Sequence, residues 1–298
     1  MKGFAVPENN QETENWRGIL WAMLSVLGAS AMAVSVRGAS LGLDTKLIVG
    51  YRLFFTLIFI GLLILIVPRL RSEIRFNQPR AHLVRGILMA FSIHLGFYTL
   101  SIVPLAAAAI LFATAPIFAT IISVLLGRET IGFRRTLAIL VGFIGTIIVM
   151  RPSSEIIDTN MIYGIGSSIF FGFSLVMSRN LARTDGPLST LISTSVIGLV
   201  ITLPLAAPVF EVTTDITIIL WTLILILFGI LRQYSDIQAY RYAQAAVIAP
   251  ISYIRVVLIG LMAYLFFNET PAVSTYIGAA IIIAATIYIT NRERLAKN

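Results

Sequence analysis

Five ionisable side chains fall inside long apolar stretches of this 298-residue sequence: Arg52, His94, Arg232, Asp236 and Arg255. If those stretches cross a bilayer, each such group costs on the order of 2.5–3.5 kcal/mol on insertion scales and calls for a partner, a wet cavity or a function. Arg255 lies too far from either end of its stretch to snorkel, and a guanidinium can fork onto a carboxylate or phosphate. It either holds an anionic group of a solute or pairs with Asp236, the only carboxylate deep in an apolar stretch. Asp236 also lies one turn beyond Arg232, so an i, i+4 pair within one helix competes for it. Arg232 and Asp236 sit nearer an interface, where a long side chain can snorkel. Arg52 is expected near the opposite interface, as an anchor or as a solute contact. His94 has Tyr98 one turn away on the same face. The pair suits hydrogen bonding to a solute or proton handling, and equally a neutral imidazole satisfied by a carbonyl or hydroxyl. Phe91, Phe97, Tyr98, Tyr234, Tyr240 and Tyr253 offer faces for a planar solute, although the same residues serve as core filling. The candidate substrate-binding set is Arg255, His94, Tyr98 and Tyr253, with Asp236, Arg232 and Arg52 as ion-pair or coupling residues.

The elements that must position these groups follow from composition. The chain is 58% hydrophobic and 12% charged, whereas soluble proteins carry about 25% charged residues. A bilayer core of about 30 Å takes roughly 20 apolar helical residues per crossing. Ten such spans are expected: Trp16–Val36, Lys46–Val67, His82–Ser101, Pro104–Leu126, Ile131–Met150, Asn160–Leu181, Pro187–Ala206, Thr217–Gln238, Ala243–Phe266 and Ala272–Thr290. Pro68, Pro79, Pro104, Pro152, Pro187, Pro208 and Pro271 punctuate the breaks. Stretches of alternating polarity suited to a membrane barrel are missing. The fold class is an all-α integral membrane protein with little outside the bilayer. Cysteine is absent, which removes disulfides, thiol nucleophiles and thiolate metal ligands. The first fifteen residues set Glu8, Glu12 and Glu14 against Lys2, a poor basic region for a cleaved signal peptide.

The net charge of +8 reads as orientation rather than as a nucleic-acid footprint. With the N-terminus inside, sixteen lysines and arginines fall on the cytoplasmic side; Arg37, Lys46 and Arg151 fall outside; and Arg52, Arg232 and Arg255 lie within spans. This asymmetry predicts cytoplasmic termini.

A repeat runs through the same sequence. Gly127–Thr130 and Phe267–Thr270, both ending in Glu-Thr, join apolar segments at an offset of 140 residues, and Ala106/Ala246, Ala109/Ala249 and Leu125/Leu265 coincide at that offset. The expected organisation is a polar tail at 1–15, five-helix repeats at 16–150 and 160–290, and a basic tail at 291–298. An odd number of spans per repeat inverts the second, the arrangement that suits alternating access. The two Glu-Thr hinges then face opposite sides. Glu129 and Glu269 each precede a new helix, so they read as helix-terminal caps at symmetric hinges, with a gating role as the alternative. Ser25/Ala29/Ala33 and Gly164/Ser168/Gly172 recur every four residues as ridges for close helix packing or as cavity lining. Pro116 and Pro250 lie inside spans and are candidates to kink them and free carbonyls for a ligand. Ala115 stands where the second copy has Arg255, so the chemistry is not duplicated with the frame.

The runs AAAAILFATAPIFATIISVLLGRET and AAVIAPISYIRVVLIGLMAYLFFNET, with VRGILMAFSIHLGFYTLSIVPLAAAA, resemble the drug/metabolite transporter superfamily, specifically the EamA-type family. The first run is similar to that family's small-residue fourth helix and its hinge, and the second to the ninth. The resemblance extends from Trp16 to about Arg294. It implies a cytoplasmic-membrane secondary carrier for a small organic metabolite: an amino acid, a vitamin such as riboflavin, or a nucleoside-like compound such as S-adenosylmethionine. The expected partners are that solute and membrane lipid, without nucleic acid, and a homodimer is left open. No cofactor, metal or catalytic residue is expected, since a P-loop, an HExxH motif and a close His/Asp/Glu cluster are all missing from the sequence. The alternatives are an intramembrane lipid-modifying enzyme, which needs several polar groups at one depth, and a non-transporting scaffold.

Overall fold

The computed structural model describes residues 8–125, 137, 140–142, 144–145, 148, 159–242, 251, 254–271 and 273–295. These residues form helices α1 (Glu8–Ala39), α2 (Thr45–Ile66), α3 (Pro79–Ile102), α4 (Leu105–Phe112), α5 (Ala115–Leu125), α6 (Met161–Thr184), α7 (Gly186–Ala206), α8 (Ile216–Tyr242), α9 (Ile254–Phe267) and α10 (Val273–Leu295). Short 3₁₀ turns occupy Pro68–Glu73 and Ala207–Val209. Six of the helices are long and apolar enough to cross a membrane, and shorter apolar helices accompany them. The fifth expected span lies largely outside the described residues, as do Glu129, Pro250 and Tyr253.

The helix surfaces are reversed relative to those of a soluble bundle. Phe54, Phe55, Ile58, Phe59 and Leu62 of α2 are exposed, while Ser25, Ser30, Thr56, Ser92, Thr99 and Thr194 are buried. Lipid tails solvate the exposed apolar side chains, and in the interior small and hydroxylated residues that let helices approach accompany apolar ones such as Ile48, Leu53, Ile110 and Leu225. Several of these hydroxyls are satisfied within their own helices: Ser30 donates to the Val26 carbonyl at 2.8 Å, Thr56 to that of Arg52 at 2.6 Å and Thr99 to that of Leu95 at 2.8 Å.

The packing pairs recur between the two halves. α1 packs along α8, α3 along α6, and α2 against α7. Moving five places in the helix order exchanges the first two pairs and returns the third to itself, as a two-fold relation between halves requires. Contacts at glycine show how close these pairs come. A Cβ on Gly28 would lie 3.0 Å from the Arg232 backbone nitrogen, and one on Gly172 would lie 3.0 Å from that of Ala119. Gly172 of the sixth-span ridge thus packs against backbone, as does Gly28 beside the first-span ridge, while Ala29, Ala33 and Ser168 of the two ridges line a cleft between the helices.

The expected fourth span is two helices. The break falls at Ala113–Thr114, just ahead of Pro116, which has no N–H to offer the turn before it. One carbonyl near the break is already engaged. That of Leu111 accepts from the Thr114 hydroxyl at 2.6 Å and the Ser168 hydroxyl at 2.9 Å.

At the end bearing the arginine-rich 67–80 segment, Asp185 sits between α6 and α7 and accepts from Asn77 at 2.9 Å and from the Gln78 backbone N–H at 3.2 Å. Its Oδ2 lies 3.0 Å from His82 Nε2, and His82 Nδ1 lies 2.7 Å from the Ser193 hydroxyl. All three residues are buried. Burial alone would raise the Asp185 carboxyl, but the hydrogen bonds from Gln78, His82 and Asn77 outweigh it and hold the group below its ordinary value. Gly186 follows with φ of 86°, the left-handed turn that lets α7 start at once.

Candidate functional site

A cleft of about 660 Å³, its open mouth included, lies among α1, α2, α3, α4, α6, α8 and α9. Three arginines reach it from three helices: Arg52, Arg232 and Arg255. Small residues make the space. Ala29 and Ala33 recede on α1, while Ser92 on α3 and Ser167 on α6 exchange hydroxyl-to-carbonyl bonds at 3.0 and 2.8 Å, which fixes these two helices edge to edge. Phe97, Phe112 and Phe171 supply aromatic surface.

Arg52 is 3% exposed, buried between helices, and of its two expected roles, anchor or solute contact, its place in the cleft lining agrees with the second. Its guanidinium carbon lies 5.5 Å from the centre of the Phe97 ring, and Nη2 donates to Gln233 at 3.1 Å. Gly229 leaves room for it, since a Cβ there would come within 2.9 Å of Nε. Arg232 faces Asp236 one turn on, at 3.7 Å, and Asp236 also accepts a short hydrogen bond from Ser25. Of the two pairings open to Asp236, the structure displays the one within α8.

His94 and Tyr98 are not among the residues lining the cleft. His94 Nε2 lies 2.9 Å from the Thr202 hydroxyl, tying α3 to α7, and Tyr98 meets Tyr163 edge-on with ring centroids 4.9 Å apart. The shared face of α3 that carries them points away from Ser92, Gly96 and Phe97, which do line the cleft. Sequence spacing put His94 and Tyr98 together correctly, but it could not say which face of α3 meets the cleft. Phe112 and Phe171 were missed because one aromatic in an apolar run looks like any other; Phe112 directly before the Ala113–Thr114 break was the available signal.

The end of the bundle away from the arginine-rich segment carries a cluster of polar contacts. Glu269 Oε1 pairs with Arg37 at 2.9 Å and Oε2 accepts from the Leu105 backbone N–H at 2.8 Å. Arg37 also donates to the Ser101 and Val103 carbonyls at 2.6 and 2.7 Å. Glu269 does cap a helix, but it caps α4, not the helix that follows it, which starts only at Val273. The turn is made by Asn268, whose φ of 53° is the left-handed cap that asparagine tolerates. Arg37 was not singled out in the sequence, although it is one of only three basic residues expected on that side. Among the described residues, no group of three His, Cys, Asp or Glu is placed to hold a metal ion.

Comparison with known proteins agrees with this architecture. The model of the EamA-like transporter family matches twice, over residues 16–151 and 159–291. A protein named S-adenosylmethionine uptake transporter from Rickettsia bellii is 29% identical over 94% of this chain and 95% of its own. A riboflavin transporter from Vibrio cholerae is 30% identical over 75% of this chain and 76% of its own. A solved crystal structure superposes with a TM-score of 0.63 at 19% identity, covering 95% of this chain and 99% of the other, which is a likeness of fold. Two matches to one family model, laid end to end along a multi-pass helical chain, leave one conclusion: the protein belongs to the EamA-like transporter family.

Proposed function

We propose that the protein is a secondary carrier for a small organic metabolite, which it binds in the arginine-lined cleft and exposes to the two sides of the membrane in turn. The observation that carries this reading is the cleft itself. It is lined by three arginines and built from both repeats, and the Arg37–Glu269–Leu105 cluster ties the two repeats together at one end of the bundle. A scaffold would have no use for three arginines around a space, because each is costly to insert. The relatives named for S-adenosylmethionine and riboflavin uptake support a nucleoside-like or vitamin-like solute.

In this reading residues 16–150 and 160–290 are the two repeats that rock against each other, the membrane is the cytoplasmic one, and both termini are cytoplasmic. Arg255, with Arg52 and Arg232, contacts the solute. His94 acts through its tie to Thr202 and so sets the position of α3, and Tyr98 sets the seat of α6 through Tyr163. Glu269 is the gate on the outer side, where a partly exposed ion pair is weak enough, at about 1 kcal/mol or less, to break in each cycle. A thermal-shift screen of the purified protein against metabolites, followed by counterflow of the stabilising ones in proteoliposomes, tests the reading. Product formation from lipid without solute movement would favour the enzyme alternative instead.

A further inference from the structure

The cleft has a charge imbalance. Arg52, Arg232 and Arg255 line it; Arg232 faces Asp236 at 3.7 Å, whereas Arg52 meets no carboxylate among the described residues. A positive charge is thus left beside a space enclosed by helices. Arg52 donates to the neutral Gln233 and is repelled by Arg232. Arg52 is the most telling of the three. It is almost wholly buried, yet its Nε and Nη1 have no hydrogen-bond partner, although the guanidinium fork presents five donors. Unmet donors on a buried cation are costly, and a fork of that kind matches the geometry of an oxyanion.

We propose that the cleft recognises an anionic group of its solute: it takes a small organic solute that bears a carboxylate or phosphate, and that oxyanion is held by Arg52 together with Arg232. The carboxylate or phosphate of the solute supplies the acceptors that Arg52 lacks. Phe97, already beneath the Arg52 guanidinium, keeps that fork in one plane. Gly229 is part of the site, since any side chain there would displace the guanidinium. The proposal rests on the carrier reading for its physiological meaning, but the cleft's potential exists whether or not solute crosses the membrane.

The chain has no cysteine, so one introduced thiol reports on the cleft alone. Met89→Cys, with Ser167→Cys as a second position, is placed in the purified protein. Each is treated with two methanethiosulfonates of similar size, the anionic ethylsulfonate and the cationic ethyltrimethylammonium. Clefts lined by one sign of charge raise the encounter rate of counter-ions by roughly 10–1,000-fold. The ratio of anionic to cationic modification rates is therefore expected to exceed that of β-mercaptoethanol free in the same buffer by about tenfold or more. It should fall on adding Arg52→Gln and be kept by Arg52→Lys, which retains the charge. A ratio no higher than that of the free thiol, a ratio indifferent to Arg52→Gln in a variant that still folds, or no reaction with either reagent overturns the proposal. None of these readouts requires transport, so a failure of anion recognition and a failure of carriage are separate results.

Discussion

Glu269 and Leu105, 164 positions apart in sequence, meet where the Glu269 carboxylate accepts the first free N–H of α4 at 2.8 Å. The same carboxylate holds Arg37 at the end of α1. One side chain thus joins the second-half hinge to two helices of the first half. The N-terminus of a helix carries partial positive charge and unsatisfied N–H groups, so a carboxylate there is stabilising. In the proposed cycle these few polar contacts are the ones that a reversible gate would break.

Glu269→Gln should keep the fold, with a loss of about 1–2 kcal/mol from the cap and the ion pair together. In the proposed cycle it should also favour the state open at this end. A single cysteine at Phe97 would then react faster with a membrane-impermeant thiol reagent added from the outer side. An unchanged rate would mean that Glu269 caps α4 without gating.

Arg52 and Gly229 predict an effect on solute without an effect on fold. Ala is a better helix former than Gly by about 1 kcal/mol, so Gly229→Ala should not lower thermal stability. Its Cβ, 2.9 Å from Arg52 Nε, should displace the guanidinium and raise KM for the carried solute several-fold. Gly38→Ala is the contrasting case. There the Cβ would press into the Trp221 ring at 2.4 Å, and overpacking at the α1–α8 contact should cost about 1–3 kcal/mol.

Thr202→Val removes the hydroxyl that meets His94 Nε2 and should cost about 1 kcal/mol in stability. Because both residues lie off the cleft, KM should change less than about threefold, for this variant and for His94→Ala. A tenfold rise in KM with unchanged stability would place the solute at His94 after all.

Asp185 gives the sign of a pH dependence. Its folded-state carboxyl lies below the ordinary value of 3.8, so its contribution to stability is fully present above that value. The contribution is lost as pH falls through the lower folded-state value. Thermal melts of the purified protein should show stability rising with pH across that acid window. Asp185→Asn should flatten the rise and lower neutral-pH stability by about 1.5–3 kcal/mol, the range for hydrogen bonds to a charged group. An unaltered acid limb would assign it to other carboxylates.

The sequence made the frame legible more readily than the site. Long apolar spans, prolines at their breaks and the repeated Glu-Thr hinge are local signals, and they read through to an all-helical, inverted-repeat membrane protein. Arg232, Arg255 and Asp236 were legible because a charge inside an apolar span is conspicuous wherever the helix turns. Arg52 was recognised with anchor and solute contact both open, since depth along a span says nothing of which face of the helix is buried. The contacts of Glu269 with Arg37 and Leu105, and of His82 with Asp185 and Ser193, are long-range; neither hinge spacing nor motif encodes them. His82 carried no signal at the start of a span, where a polar residue is ordinary.

The most direct test of a carrier with one central cleft is counterflow in proteoliposomes, with a metabolite that stabilises the purified protein preloaded inside and tracer outside. The wild-type protein should accumulate tracer transiently above equilibrium. Arg255→Ala combined with Arg52→Gln should abolish that overshoot while leaving the protein folded and inserted. An overshoot that survives both substitutions would place the site elsewhere, and the absence of overshoot for every stabilising metabolite would contradict carriage itself.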